Sequence, residues 1–166
     1  MPSTYEPIAT TTLGSAAASI TFSSIPSTYT DLKIVFVGTA TLSGINANVR
    51  FNSDTASNYS NTALGGDGST AQSVSATSQT YNQLTVFNGI NGTIPTLRTM
   101  DIFSYAGSTY KTCLTTESND FNGSGSSART VQLWRSASAI NTILIYASSS
   151  TFTTGTTATL YGIKNA

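Results

Sequence analysis

The sequence predicts an all-β protein, an antiparallel β-sandwich of the jelly-roll type. Apolar and polar residues alternate over residues 18–22, 47–52 and 130–134, which is the pattern of half-buried strands. Turns rich in Gly, Ser and Asn separate about nine or ten such segments at the spacing of a sandwich. An eight-stranded jelly roll with extra edge strands is therefore the expected topology.

The strongest strands are predicted near the middle and the end of the chain. Residues 31–38 and 140–146 are apolar on both sides of the strand. In the first segment, Val35 and Val37 lie opposite the other apolar side chains of the strand. In the second, Leu144 and Tyr146 lie opposite two isoleucines. A sandwich strand needs only one apolar face. We therefore expect loops or another subunit to cover the second face of each strand.

Trp134 permits two interpretations. Val131 and Leu133 occupy the opposite side of its strand, so an outward Trp134 beside Arg135 would anchor an interface or stack on a sugar. Alternatively, Trp134 is structural, either capped by a loop or packed in the second face of its sheet. The sequence favours the structural interpretation.

The first eight residues are predicted to form an arm, followed by one domain at residues 9–166. Pro2 and Pro7 flank Tyr5, and proline removes a backbone donor that regular strand pairing needs. Tyr5 and Ile8 would then be apolar anchors for attachment.

The central part of the chain is less sharply patterned. Residues 53–80 are polar and form either a long partner-binding loop or a weakly specified strand pair around Tyr59 and Val74. Strands are predicted at residues 81–87 and 97–105. The Asn-Gly pairs at residues 88–92 predict a hairpin between them.

Composition restricts the class of function. The net charge is zero and 8% of residues are charged, which argues against nucleic-acid binding because phosphate recognition needs concentrated positive charge. Ser and Thr supply roughly a third of the chain, far above ordinary usage. Such a neutral, hydroxyl-rich surface suits docking against copies of itself or against another shell. A Thr-rich composition that only reflects strand propensity is the alternative.

Cysteine usage and hydropathy bear on location. A single cysteine excludes an intramolecular disulfide and fits assembly in a reducing cytosol. The sequence shows neither a signal-peptide pattern nor an apolar run of membrane-spanning length. We therefore expect no membrane partner.

Reactive side chains are sparse. The chain has no histidine, which excludes Ser-His-Asp and Cys-His catalysis and nearly all zinc sites. Cys113 sits in a strand between Thr112 and Leu114, without an adjacent cation to activate it, and is expected to be a buried, inert thiol. Glu117 and Asp120 are the only closely spaced acidic pair, a weak basis for glycosidase chemistry. Adding Asp54 and Asp67 still gives no dense set of calcium ligands, so we expect no catalytic residue, cofactor or metal.

Several short motifs carry a family resemblance that spans nearly the whole chain. They are residues 5–9, 30–32, 49–52, 58–59, 133–136, 139–141, 151–156 and 160–164. Through these motifs the chain resembles a recurrent small virion protein of tailed bacteriophages, particularly those that infect aquatic bacteria. Members of this group are described as capsid decoration (cement) proteins or tail-fibre-associated proteins, usually β-sandwiches.

The resemblance implies a non-enzymatic protein on the virion, most simply on the head surface, assembled in the host bacterial cytoplasm. Its expected partners are its own copies, as a homotrimer, and the major capsid protein or another virion protein. The alternative is a tail-fibre or receptor-binding module that recognises a host surface glycan. The residues predicted to lie at an interface are Tyr5, Ile8, Val35, Val37, Leu144, Tyr146, Trp134 and Arg135.

Overall fold

A computed structural model describes residues 4–164. These residues form twelve strands and no helix. The strands are β1 Tyr5–Thr12, β2 Ser19–Phe22, β3 Asp31–Gly38, β4 Ala47–Phe51, β5 Tyr59–Gly66, β6 Ala71–Gln79, β7 Asn82–Gln83, β8 Thr96–Ile102, β9 Lys111–Asn119, β10 Ser126–Trp134, β11 Ile143–Ala147 and β12 Thr157–Ile163. Within the described part of the chain, no helix is long and apolar enough to cross a membrane.

All strand pairs are antiparallel, and the strands form two sheets. The larger has eight strands in the order β1-β12-β3-β8-β9-β10-β5-β6, and the smaller has four in the order β2-β11-β4-β7. The sets β1-β12-β3-β8 and β2-β11-β4-β7 have the strand order of a jelly roll. The predicted fold is therefore confirmed. The four additional strands, β5, β6, β9 and β10, all extend the same sheet.

The hydrophobic core lies between the sheets and follows the predicted alternation. On β3, Leu32, Ile34 and Phe36 are completely buried. Val49 and Phe51 of β4 are equally buried, whereas Arg50 between them points outward. Because the inward side chains of the two sheets pack together here, this core fixes which side of β3 and β4 faces solvent.

The predicted N-terminal arm is wrong for residues 5–8. Tyr5 pairs with Ile163, and β1 continues along β12 to Thr12. The strand tolerates Pro7 because it is an edge strand and because the register shifts immediately after Pro7. Residues 1–3 of the predicted arm lie outside the described residues.

Residues 53–80 form the strand pair β5–β6, with Ala63 opposite Val74. Of the two interpretations of this segment, the strand pair is therefore correct. The turn between the strands depends on Asp67, whose carboxylate accepts hydrogen bonds from the amides of Ser69 and Thr70 at 2.9 and 2.7 Å. This is an ordinary Asx turn.

The hairpin predicted at residues 88–92 is wrong. The strand before it is only β7, two residues long, and β7 and β8 belong to different sheets. Residues 84–95 instead cross from the smaller sheet to the larger one. Ile90 forms an isolated bridge with Ile45, and Asn91 accepts hydrogen bonds from the amides of Thr93 and Ile94.

Candidate functional site

The outward side of the smaller sheet is covered from within the chain. Tyr146 of β11 lies beneath the guanidinium of Arg50, which is 4.7 Å from the ring centroid. The ring of Tyr81 meets Tyr146 edge-on, with centroids 6.3 Å apart. Tyr146 and its neighbour Leu144 are consequently only partly exposed. The second apolar face that the sequence shows at residues 143–146 therefore has intramolecular cover.

The outward side of the larger sheet has no comparable cover among the described residues, and we call it the broad face. Cross-strand pairs form continuous rows over it; one row runs from Thr159 through Val35, Thr99, Thr116 and Arg129 to Leu64. A second row places Leu114 beside Val131, and a third places Val37 beside Leu97. Strand spacing and rise give the face dimensions of roughly 34 by 25 Å.

Exposed apolar side chains are concentrated on the broad face. Of the ten exposed large hydrophobic side chains among residues 4–164, six lie on it. They are Tyr5, Val37, Leu64, Leu97, Phe103 and Val131. Single exposed apolar residues are normal on a protein surface, but their concentration on one face of a sheet favours an interaction surface there.

The polar residues of the broad face are mostly hydroxylated and carry little net charge. Thr10 pairs with Thr159 at 3.1 Å, and Thr12 with Thr157 at 3.0 Å. Lys33 and Asp101 neutralise each other in an ion pair of 2.6 Å. Arg129 is the exposed cation of the central strands. Little charge must therefore lose water when this face meets another protein.

The inward side of the added strands is polar, which the sequence pattern did not reveal. Gln132 of β10 accepts a hydrogen bond from the amide of Gln83 at 2.7 Å and donates one to its carbonyl at 2.7 Å. It also donates to Thr115 at 2.6 Å. These bonds attach the short strand β7 to β9 and β10, where apolar packing would otherwise do so.

Two buried charges lie beside this network. Arg98 donates to the carbonyls of Ser118 and Asn88 at 3.0 and 2.9 Å, and its cross-strand partner is Glu117. Glu117 accepts a hydrogen bond from the amide of Val86 at 2.7 Å. Burial raises the pKa of Glu117, although Arg98 and the nearby amides oppose that change. Both groups bind the 84–95 segment to the larger sheet and have no access to solvent.

Trp134 is buried inside the monomer, so its side chain is not available to a partner at the surface. Its indole stacks on Tyr59 with ring centroids 6.3 Å apart and lies 5.5 Å from Phe51. Its Nε1 donates to Asp54 at 2.7 Å. The sequence suggested that Val131 faced inward, but Val131 is 54% exposed and Trp134 only 2%. The structural interpretation of Trp134 is the correct one.

The remaining predicted interface residues fall into separate groups. Tyr5, Val35 and Val37 lie together on the broad face. Ile8 packs against the core, and Arg135 donates to the carbonyl of Ser57. Of the predicted interface residues, Tyr5, Val35 and Val37 are therefore on the open face of the larger sheet, whereas Ile8 and Arg135 make contacts within the monomer.

The acidic residues do not converge on a common site. Glu117 is buried within β9, whereas Asp120 is exposed and accepts a hydrogen bond from the amide of Gly123 at 2.8 Å. Asp54 binds Trp134 and Asn58, and Asp67 caps its own turn. Among residues 4–164 no three potential metal ligands of the His, Cys, Asp or Glu type come together. Cys113 is buried beside Asn82.

Comparisons with known proteins leave the surface as the principal guide to function. No family model, no curated protein and no solved structure matches the chain. The fold and the broad face thus define a β-sandwich with an exposed, neutral, partly apolar sheet surface.

Proposed function

We propose that this chain is a non-enzymatic structural protein of a bacteriophage virion, a decoration or cement protein that binds the head shell. The observation that carries this proposal is the broad face. It offers apolar and hydroxylated side chains over an area typical of a protein interface. Lys33 and Asp101 on this face already form an ion pair with each other.

The mechanism follows from additive burial. A protein that contacts neighbouring shell subunits together raises the free energy needed to separate them, because binding stabilises the bound state by mass action. Such a protein needs a rigid scaffold more than reactive groups. The buried charges at residues 98 and 117 serve that rigidity, since their hydrogen-bond partners belong to the chain itself.

Self-association is part of the same proposal. Copies of a neutral chain approach one another without electrostatic opposition, and closed rotational symmetry is the usual arrangement of identical subunits. The resemblance to phage proteins implies three copies.

Removal of the protein from the particle tests the proposal. Heads that lack the chain should lose their DNA at a lower temperature than complete heads, and addition of the purified protein should restore the difference. The chain should copurify with heads separated from tails in a fixed copy number. Recovery only in tail fractions would contradict the proposal.

A tail-fibre or receptor-binding module is the second candidate. Exposed aromatic rings favour it, because Tyr5 and Tyr161 meet edge-on at 6.5 Å on one end of the broad face, and Phe103 is exposed there. Such rings stack on sugar faces. Binding of the purified protein to host cells that is competed by isolated surface glycan would support this candidate over a head protein.

A further inference from the structure

The broad face has the area of one partner's share of a stable protein interface. Its dimensions of roughly 34 by 25 Å enclose on the order of 800 Å², and standard interfaces bury about 800 Å² on each partner. The smaller sheet offers less area, because it has four strands against eight and because Arg50 and Tyr81 lie against Tyr146 on its outward side. Only one side of the sandwich, among the described residues, is therefore open for an interface of this size.

The polar chemistry of the broad face is self-complementary. A hydroxyl is both a donor and an acceptor, so rows of threonines can pair with rows of the same kind, as Thr10 and Thr12 do with their neighbours on β12. A carboxylate or ammonium group cannot pair with its own kind. Lys33 and Asp101 pair with each other, which leaves Arg129 as the exposed cation of the central strands.

We infer that a second copy of this chain occupies the broad face, with the two large sheets packed face to face. Their apolar side chains, chiefly Val37, Leu97, Leu64 and Val131, interdigitate across a gap of about 10 Å, the usual spacing of packed sheets. Arg129 lies on the sixth of the eight strands, directly beside Leu64, so the aliphatic part of its side chain packs within the contact and its guanidinium extends towards the β6 edge. Identical faces packed on each other close on two copies, so this inference replaces the three copies that the resemblance implies, and it does not depend on a phage particle.

Charge placed on the broad face tests the inference in solution. Wild-type protein at tens of micromolar should have, by multi-angle light scattering, a mass of at least two chains. The variants Val131→Asp and Leu97→Asp should shift the population towards monomer, with a dissociation constant raised at least tenfold. Val131→Lys serves as a second variant if Val131→Asp does not fold, and circular dichroism and thermal melting establish folding.

Two other exposed residues provide matched controls. Leu42 is 62% exposed in the loop after β3, and Val74 is 43% exposed on the opposite side of the large sheet, where it pairs with buried Ala63. Leu42→Asp and Val74→Asp should therefore leave the mass unchanged. A monomeric wild type would overturn the inference. Folded Val131 and Leu97 variants with the wild-type mass, or equal dissociation in the two controls, would overturn it as well. A monomer that still binds phage heads would leave the proposed function standing, because the head would then occupy the broad face.

Discussion

Arg98 and Glu117 lie directly opposite each other on β8 and β9, and both side chains are completely buried. Each one binds the backbone of the segment that crosses between the sheets, Arg98 at Asn88 and Glu117 at Val86. Removing two charges from water is costly, and their attraction offsets the cost only when further hydrogen bonds satisfy them. The segment 84–95 accepts one hydrogen bond from Arg98 and donates one to Glu117, so its conformation and the two charges stabilise each other.

The stability of the protein should depend on the protonation of Glu117. Its pKa in the folded state is raised, first by burial, so the wild type loses stability as the pH rises from the unfolded pKa through the folded pKa. Each unit of difference between the two pKa values corresponds to about 1.4 kcal/mol. The side chain of Glu117→Gln cannot ionise, so the free energy of unfolding of this variant should increase relative to that of the wild type as the pH rises. Urea unfolding at pH 4, 6 and 8 measures this difference.

Glu6 provides the matched control for this measurement. A hydrogen bond from Lys164 is the largest influence on its pKa and, with Tyr29, lowers it despite partial desolvation. The stability from Glu6 is therefore present above its unfolded pKa and lost as the pH falls through the lower folded pKa. The free energy of unfolding of Glu6→Gln should accordingly decrease relative to that of the wild type as the pH rises. Parallel pH trends in the two variants would show that burial does not govern Glu117.

Removing Arg98 should be more harmful than removing both charges. Arg98→Met removes the charged donor of the hydrogen bonds to Ser118 and Asn88, a change that should cost about 1.5–3 kcal/mol, and it leaves Glu117 buried without the nearby positive charge. Arg98→Met combined with Glu117→Leu leaves no uncompensated charge and should recover part of that loss. Chemical denaturation of the single and double variants measures the coupling; additive losses would mean that the two side chains act independently.

The general fold could be predicted from the sequence because the alternation of apolar and polar residues is visible in each strand whose inward side is aliphatic. The pattern at Leu32, Ile34 and Phe36 leaves no doubt about the inward side, and all three are buried. On β10 the same rule fails. Thr130 and Gln132 face inward, whereas Val131 faces outward, because the interior there is a hydrogen-bonded layer formed with Gln83.

The broad face could be predicted only in part, for a related reason. The apolar second side of β3 was visible in Val35 and Val37. Its continuation over β9 and β10 was not, since assigning Leu114 and Val131 to that face requires knowing which side of their strands is buried. Long-range pairing decides that question, and local sequence does not encode the partner of a strand. The same applies to Pro7, whose edge position depends on pairing with β12.

Truncation of residues 1–8 should destabilise the fold. Tyr5, Glu6 and Pro7 pair with β12, and Ile8 packs against the core. A loss of 1 kcal/mol lowers the Tm of a domain of this size by about 2–4 °C, and we expect a fall of at least about 5 °C. Calorimetry measures this directly, and a truncation of residues 1–3 alone isolates the contribution of β1. An unchanged Tm after removal of all eight residues would restore the interpretation as an arm.

Trp134 is the only tryptophan in the sequence, so intrinsic fluorescence reports on a single environment. Its side chain is 2% exposed and its indole Nε1 donates to Asp54 at 2.7 Å. We therefore expect blue-shifted emission that acrylamide quenches only weakly in the native protein and strongly after unfolding. Strong quenching of the native protein would place Trp134 at the surface and contradict the packing against Tyr59 and Phe51.

The bond between Trp134 and Asp54 should also have a measurable energy. Burial raises the pKa of Asp54, but hydrogen bonds from Asn58, Trp134 and Ala56 outweigh it, and the pKa is lowered overall. Stability from this carboxylate is hence present above its unfolded pKa and lost as the pH falls through the lower folded pKa. Trp134→Phe removes the donor and should cost about 1.5–3 kcal/mol at neutral pH. In an Asp54→Asn background the same substitution should cost less, because the acceptor is no longer charged; an equal cost would assign the whole effect of Trp134 to ring packing.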